Sequence, residues 1–123
     1  MFDLDDDGDL DIVTNEYNSK PMVLISNLAE SKKKISYMKI NLIGTKSNRD
    51  ALGATVRLRV GPQTYYKVYD GQSGYLSQSL YPLYFGLRGA TTIDEIEVTW
   101  PTGEKQTEVG PIKVNQTLSI KER

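Results

Sequence analysis

Nine residues near the start of the chain carry most of its chemistry. Asp3-Leu4-Asp5-Asp6-Asp7-Gly8-Asp9-Leu10-Asp11 fits the pattern D-x-D-x-D-G-x-x-D. Alternate carboxylates in a tight loop converge on one point, and a hard cation such as Ca²⁺ takes six to eight oxygens at roughly 2.3–2.6 Å. Asp3, Asp5 and Asp7 stand at loop positions 1, 3 and 5. Gly8 permits the sharp turn that follows. The Asp9 carbonyl falls at position 7 and the Asp11 carboxylate at position 9. The expected metal ligands are therefore Asp3, Asp5, Asp7, Asp9 and Asp11, with Asp6 and the Asp9 side chain turned to solvent. Without a cation the clustered carboxylates repel one another and loosen the loop.

An EF-hand also uses such a loop, but it needs a bidentate Glu at position 12 and flanking helices. Position 12 here is Thr14, and Ile12-Val13-Thr14 is β-branched and reads as a strand. The loop is therefore expected to lead into a β-hairpin, with Pro21 to Asn27 following the first strand. An isolated hairpin is marginal in water, so Ile12, Val13, Met22, Leu24 and Ile25 are expected to pack on the rest of the molecule.

The chain has 123 residues, enough for one modest core. It contains no Cys and no His. That excludes a disulfide framework, a thiolate nucleophile, an imidazole base and zinc sites of the usual kind. No apolar run approaches the roughly 20 residues of a membrane-spanning helix, so no membrane span is expected. The start of the chain is acidic where a secretory signal is basic and then apolar. The net charge of -1 hides an asymmetry: seven of the 16 acidic groups and none of the 15 basic ones fall within residues 1–16. The body is mildly basic, without a concentrated stripe beyond Lys32 to Lys34, so no nucleic-acid partner is expected.

Residues 29–38 read as a linker with a solvated charge run. From Lys39 onward the chain reads as short strands between turns. Met38 to Ile43 alternates apolar and polar. Val56, Leu58 and Val60 face one way, and Thr55, Arg57 and Arg59 the other. Thr64 to Tyr69, Leu83 to Phe85, Ile93 to Trp100, Gln106 to Val109 and Leu118 to Ile120 supply further strands. The fold class is all-β: an antiparallel sandwich with the calcium-loop hairpin ahead of it. Trp100 before Pro101 is expected to plug one end, its ring buried and its N–H bonded. Glu95 and Glu97 lie opposite Ile96 and Val98 and are expected to face solvent.

Several ordered motifs resemble the ASPIC/UnbV domain: Asn41-Leu42-Ile43-Gly44, Ser47 to Val56, Gly74-Tyr75-Leu76-Ser77-Gln78, Phe85-Gly86-Leu87, and Ile96 to Gly103 with Asn115-Gln116 after it. The resemblance covers residues 39–123. Residues 1–28 resemble the end of an FG-GAP/VCBS-type repeat of integrin-like propellers, calcium loop included. Cartilage acidic protein belongs to the family so resembled. Tyr84 and Arg88 stand where the family commonly has His and Gly. The resemblance implies the C-terminal part of a larger extracellular or cell-surface repeat protein, with a propeller upstream. It also implies Ca²⁺ as cofactor and adhesion or interaction as function.

Two further features bear on ligands. Asn48, Arg49 and Asp50 form a polar cluster before a strand. It is either a loop held by Asn and Asp bonds to backbone or a small site in which Arg49 grasps a carboxylate or sugar hydroxyl. Six tyrosines lie between Tyr65 and Tyr84. With Gln72, Gln78 and Arg88 nearby, they form either core and edge packing or a surface for sugar rings or a protein. The alternative function is therefore a carbohydrate-binding module using Asn48, Arg49, Tyr75, Gln78 and Arg88. No pair of carboxylates outside the loop stands out at glycosidase spacing, so no enzyme is expected.

Overall fold

The computed structural model describes residues 1–31 and 35–123. The Lys32 to Lys34 charge run lies outside the described residues. Two short strands come first, β1 (Ile12–Thr14) and β2 (Met22–Leu24). They pair antiparallel, Ile12 opposite Leu24. The body follows with β3 (Tyr37–Ile43), β4 (Thr55–Val60), β5 (Gln63–Val68), β6 (Gln72–Gly74), β7 (Ser77–Gln78), β8 (Leu83–Gly86), β9 (Thr92–Thr99), β10 (Lys105–Lys113) and β11 (Gln116–Lys121).

Two sheets make the sandwich. One is antiparallel, in the order β10-β9-β4-β5; the other has the order β11-β3-β8. The second sheet is mixed, because β11 runs parallel to β3. The sequence reading of a wholly antiparallel sandwich misses this one pair, since alternation fixes which face is buried but not strand direction.

Alternation does fix the core. Met38, Ile40 and Leu42 from β3, Val56 and Leu58 from β4, Ile96 and Val98 from β9, Phe85 from β8 and Ile120 from β11 are all buried together. Trp100 closes one end, and its Nε1–H donates to Gln106 Oε1 at 3.2 Å, as expected of a buried indole. β10 carries one extra residue against β9 between Val109 and Ile112. This bulge lies where the buried positions of β9 shift phase from Ile93 to Ile96.

The outer face of the four-stranded sheet is an ion-pair ladder. Arg57 and Arg59 stand directly opposite Glu97 and Glu95. Arg57 reaches both carboxylates, at 3.4 Å and 3.2 Å. The expectation that Glu95 and Glu97 simply face water is corrected: they are half-buried beneath these arginines.

The β1–β2 hairpin departs from expectation more strongly. Ile12, Val13, Met22, Leu24 and Ile25 are all exposed rather than packed on the sandwich. The reason is that polar tethers hold the hairpin instead. Asp11 Oδ1 accepts the Ser26 amide at 2.8 Å, and Asp9 Oδ2 accepts the Ala29 amide at 2.8 Å.

Candidate metal centre

The acidic loop is closed at its base by backbone. Phe2 and Asp11 exchange two hydrogen bonds, of 3.2 and 2.9 Å, and so supply a short partner strand ahead of the loop. Inside this closure, left-handed backbone at Asp6 (φ 66) and Gly8 (φ 98) bends the chain back on itself.

The turn brings together Asp3, Asp5 and Asp11, each offering a carboxylate oxygen within 4.8 Å of the others. That spread suits oxygens arranged around one Ca²⁺ at roughly 2.3–2.6 Å. Asp11 is buried and accepts the Leu4 amide at 2.7 Å through Oδ2, besides Ser26 through Oδ1. These backbone donors hold its carboxyl below the usual carboxylate range. Asp5 is exposed; partial desolvation, reinforced by Asp7, pushes its carboxyl up. A carboxyl raised this way by its neighbours is one that a cation would relieve.

Asp7 and Asp9 fall outside this group of three among the described residues. Asp7 Oδ1 accepts the Asp9 amide at 2.9 Å, a bond that shapes the turn. The Asp9 side chain does not point to solvent as expected: Asp9 is 3% exposed and is bonded to Ala29 across the hairpin. Spacing alone assigned it outward because the residue that captures it is twenty positions downstream.

Among the described residues, two buried carboxylate oxygens have no hydrogen-bond partner, Asp3 Oδ1 and Asp9 Oδ1. Native proteins leave few such atoms, and an unplaced ion is one standard reason. The donor set is all hard oxygen, as Ca²⁺ prefers. The residues present thus fit a divalent hard cation.

The loop rests on the outer face of the three-stranded sheet. Lys39 and Tyr84, directly opposite each other on β3 and β8, both reach it. Lys39 Nζ lies 2.7 Å from Asp3 Oδ2 and 2.8 Å from Asp6 Oδ1. Burial alone would lower the Lys39 pKa, but the two carboxylates more than offset it and raise it above its ordinary value. Asp6 is exposed as expected, yet Lys39 lowers its carboxyl. Tyr84 donates its hydroxyl to the Gly8 carbonyl. Its pKa is raised, by burial first and then by the nearby Asp3 charge. Tyr37 stacks on Tyr84 with ring centroids 5.7 Å apart and lies against Gly8. The sequence reading did not connect Lys39, Tyr37 and Tyr84 with the loop. The one signal available was a lysine at an outward position of an otherwise core-forming strand.

The residues proposed for a ligand are dispersed. Asn48 closes its own turn, donating through Nδ2 to the Leu52 carbonyl and accepting the Leu52 amide at Oδ1. Arg49 pairs with its neighbour Asp50 at 3.1 Å. Tyr75 and Gln78 are exposed around β6 and β7. Arg88 takes the left-handed conformation (φ 47), which suits a position where the resembled family has Gly. None of the five lines the cavity of about 780 Å³ that residues 1–10 form with Lys39 and Tyr84 and with residues 67–72 and 79–83.

At the opposite end, Glu122 closes the chain onto the loop after β3. It is buried and accepts the amides of Thr45, Lys46 and Ser47 at 2.7–2.8 Å and the Ser47 hydroxyl at 2.8 Å. Burial raises its carboxyl, but these donors prevail and lower it to about 2.

Every strand of the two sheets except β3, together with the Trp100 plug and the Glu122 closure, lies in the part of the chain where comparison with known families finds a match. A comparison with curated proteins finds none. The family model described as ASPIC and UnbV matches residues 44–123, most of the sandwich from the end of β3 to the last residue, and the chain belongs to that family.

Proposed function

We propose that the chain is a non-catalytic, calcium-stabilised interaction module, part of a larger extracellular repeat protein. The observation that carries the reading is the convergence of the Asp3, Asp5 and Asp11 carboxylates, with Asp3 Oδ1 buried and without a hydrogen-bond partner among the described residues. Asp3, Asp5 and Asp11 would hold the ion, and Asp9 and Asp11 tie the hairpin to the same loop through Ala29 and Ser26. When bound, the ion supplies the charge that lets these carboxylates stay close. The sandwich then presents its loops to a neighbouring domain or a partner at the cell surface. In this reading residues 1–28 are the last piece of an FG-GAP/VCBS-type repeat, with a propeller upstream. Several carboxylates outside the loop serve as ion-pair partners: Asp50 to Arg49, Glu95 and Glu97 to Arg57, Glu104 to Lys46, Glu108 to Arg123. That favours binding over acid–base chemistry.

The test is a thermal melt in CaCl₂, MgCl₂ and EDTA, with Asp5→Asn alongside. Asp5 is the exposed member of the three, so its replacement disturbs the fold least. Calcium at about 100 times its dissociation constant adds roughly 2.7 kcal/mol, several degrees at this size. A calcium-selective rise that Asp5→Asn removes is the expected result. Equal curves in calcium and EDTA would sink the proposal.

A further inference from the structure

The cavity of about 780 Å³ is walled by the first ten residues, by Lys39 and Tyr84, and by residues 67–72 and 79–83. Its size falls within the range of small-molecule sites, roughly 300–1,000 Å³. Such sites combine flat apolar walls with a few convergent polar groups. Here the flat wall is aromatic: Phe2 and Tyr81 both line the cavity and stack in parallel, with centroids 4.8 Å apart and planes 4° from each other. Tyr81 is 54% exposed, so Phe2 leaves part of it uncovered.

The charges in the lining select the kind of occupant. Lys39 is already taken by Asp3 and Asp6. That leaves Lys67, which forms no ion pair among the described residues and lies over the Phe85 ring, and Asp70, which accepts only the Gln72 amide among the described residues. Over the whole lining, three side-chain carboxylates, Asp3, Asp6 and Asp70, face two ammoniums, Lys39 and Lys67, so an anion finds no surplus counter-charge. Lys67 donates, Asp70 accepts, and the Gln72 side chain does both. Vicinal hydroxyls on a neutral ring match such a set, and the apolar face of that ring matches the aromatic wall.

We infer that this cavity is a binding site for a neutral sugar ring, seated on Tyr81 and hydrogen-bonded by Lys67, Asp70 and Gln72. The site is distinct from the residues Asn48, Arg49, Tyr75, Gln78 and Arg88, and it does not require a metal in the loop. A free monosaccharide and one residue of a longer glycan share this chemistry.

The test is calorimetric and saturation-transfer NMR titration of the whole chain. The probes are the methyl glycosides of glucose, galactose and mannose, their disaccharides, and glucuronate as a charged control. CaCl₂ is present throughout, so the loop wall is in one state in every titration. The expected result is a neutral glycoside binding with a dissociation constant on the order of 1 mM. Tyr81→Ala should weaken it about tenfold or more, and Gln72→Ala measurably, both with the wild-type melting temperature. A tighter disaccharide identifies a glycan residue as the occupant, and equal affinities identify a free sugar. Absence of binding by every neutral glycoside would overturn the inference. So would glucuronate binding more tightly, or affinity unchanged in both variants.

Discussion

Replacing Lys39 with methionine removes one charge from beneath the acidic loop while keeping an aliphatic stem of similar length. The two ion pairs it breaks are unequal. The Asp6 side chain is 88% exposed, and such a pair contributes at most about 1 kcal/mol. The Asp3 side chain is 2% exposed and Lys39 13%, with 2.7 Å between the charged atoms. Removing one partner of a buried pair strands the other charge, at about 3–5 kcal/mol. The sandwich need not unfold to relieve it. Asp3 Oδ2 also accepts the Gly8 amide at 3.0 Å, so the loop can open by itself and rehydrate the carboxylate. Taking the low end, 3 kcal/mol corresponds to roughly 150-fold faster exchange of the Gly8 amide in metal-free buffer. The amides of β4 and β9 should keep their protection. Hydrogen exchange followed by NMR reads both sets in one experiment. Calcium at about 100 times its dissociation constant should slow Gly8 exchange in the variant again, by about a hundredfold. A change under about threefold at Gly8 in metal-free buffer would refute the reasoning, because the lower bound for a stranded buried charge is far larger. An equal acceleration in β4 and β9 would refute it differently, by showing that Lys39 supports the whole fold.

Two further outcomes follow from the same contacts. Gly8→Ala places a Cβ against the Tyr37 ring at a left-handed φ of 98, and Tyr37 is itself stacked on Tyr84. Calcium affinity measured by titration should fall about fivefold or more, from strain of roughly 1–3 kcal/mol, while the core's melting transition stays in place; an unchanged affinity would contradict the docking of loop on sheet. Glu122→Gln tests the other closure. Because the folded carboxyl is lowered from 4.5 to about 2, its contribution is fully present above pH 4.5 and is lost as pH falls towards 2. The variant should be less stable than wild type at neutral pH, and urea midpoints of the two should converge across that window; a gap independent of pH would exclude the carboxylate as its source.

How much of this was legible in the sequence depends on the distance over which each interaction acts. Strand positions in the body come from alternation of neighbours, and Met38, Ile40, Leu42, Val56, Leu58, Ile96 and Val98 are buried as their pattern requires. The loop's turn at Gly8 is equally local. What alternation cannot carry is partnership between distant segments. The parallel pairing of β11 with β3 depends on how the last crossover runs, not on either strand's own residues. The Asp9 carboxylate was assigned outward because its carbonyl falls at loop position 7, yet its partner is the Ala29 amide. The hairpin's apolar residues looked inward because apolar side chains usually are. Hydrogen bonds from Asp9 and Asp11 fix the hairpin without using them.

The same limit hid the relation between the acidic head and the basic body, and that relation explains the charge asymmetry. Asp3, Asp5 and Asp11 bring three negative charges to one point. Their repulsion would be lowest in an extended, solvated segment, but the Phe2–Asp11 closure holds them together. Lys39 offsets one of the three from the outer face of β3. Lys39 is shared with Asp6, so the carboxylates outnumber their counter-charge, an excess that a bound cation would relieve. A sandwich without the loop would leave Lys39, Tyr37 and Tyr84 on an open sheet face, and a loop without the sandwich would lack its first counter-charge. If the loop takes the proposed ion, metal affinity is a property of both segments together. A peptide of residues 1–28 should bind calcium far more weakly than the whole chain, and comparing the two by calorimetry measures how much the sheet contributes.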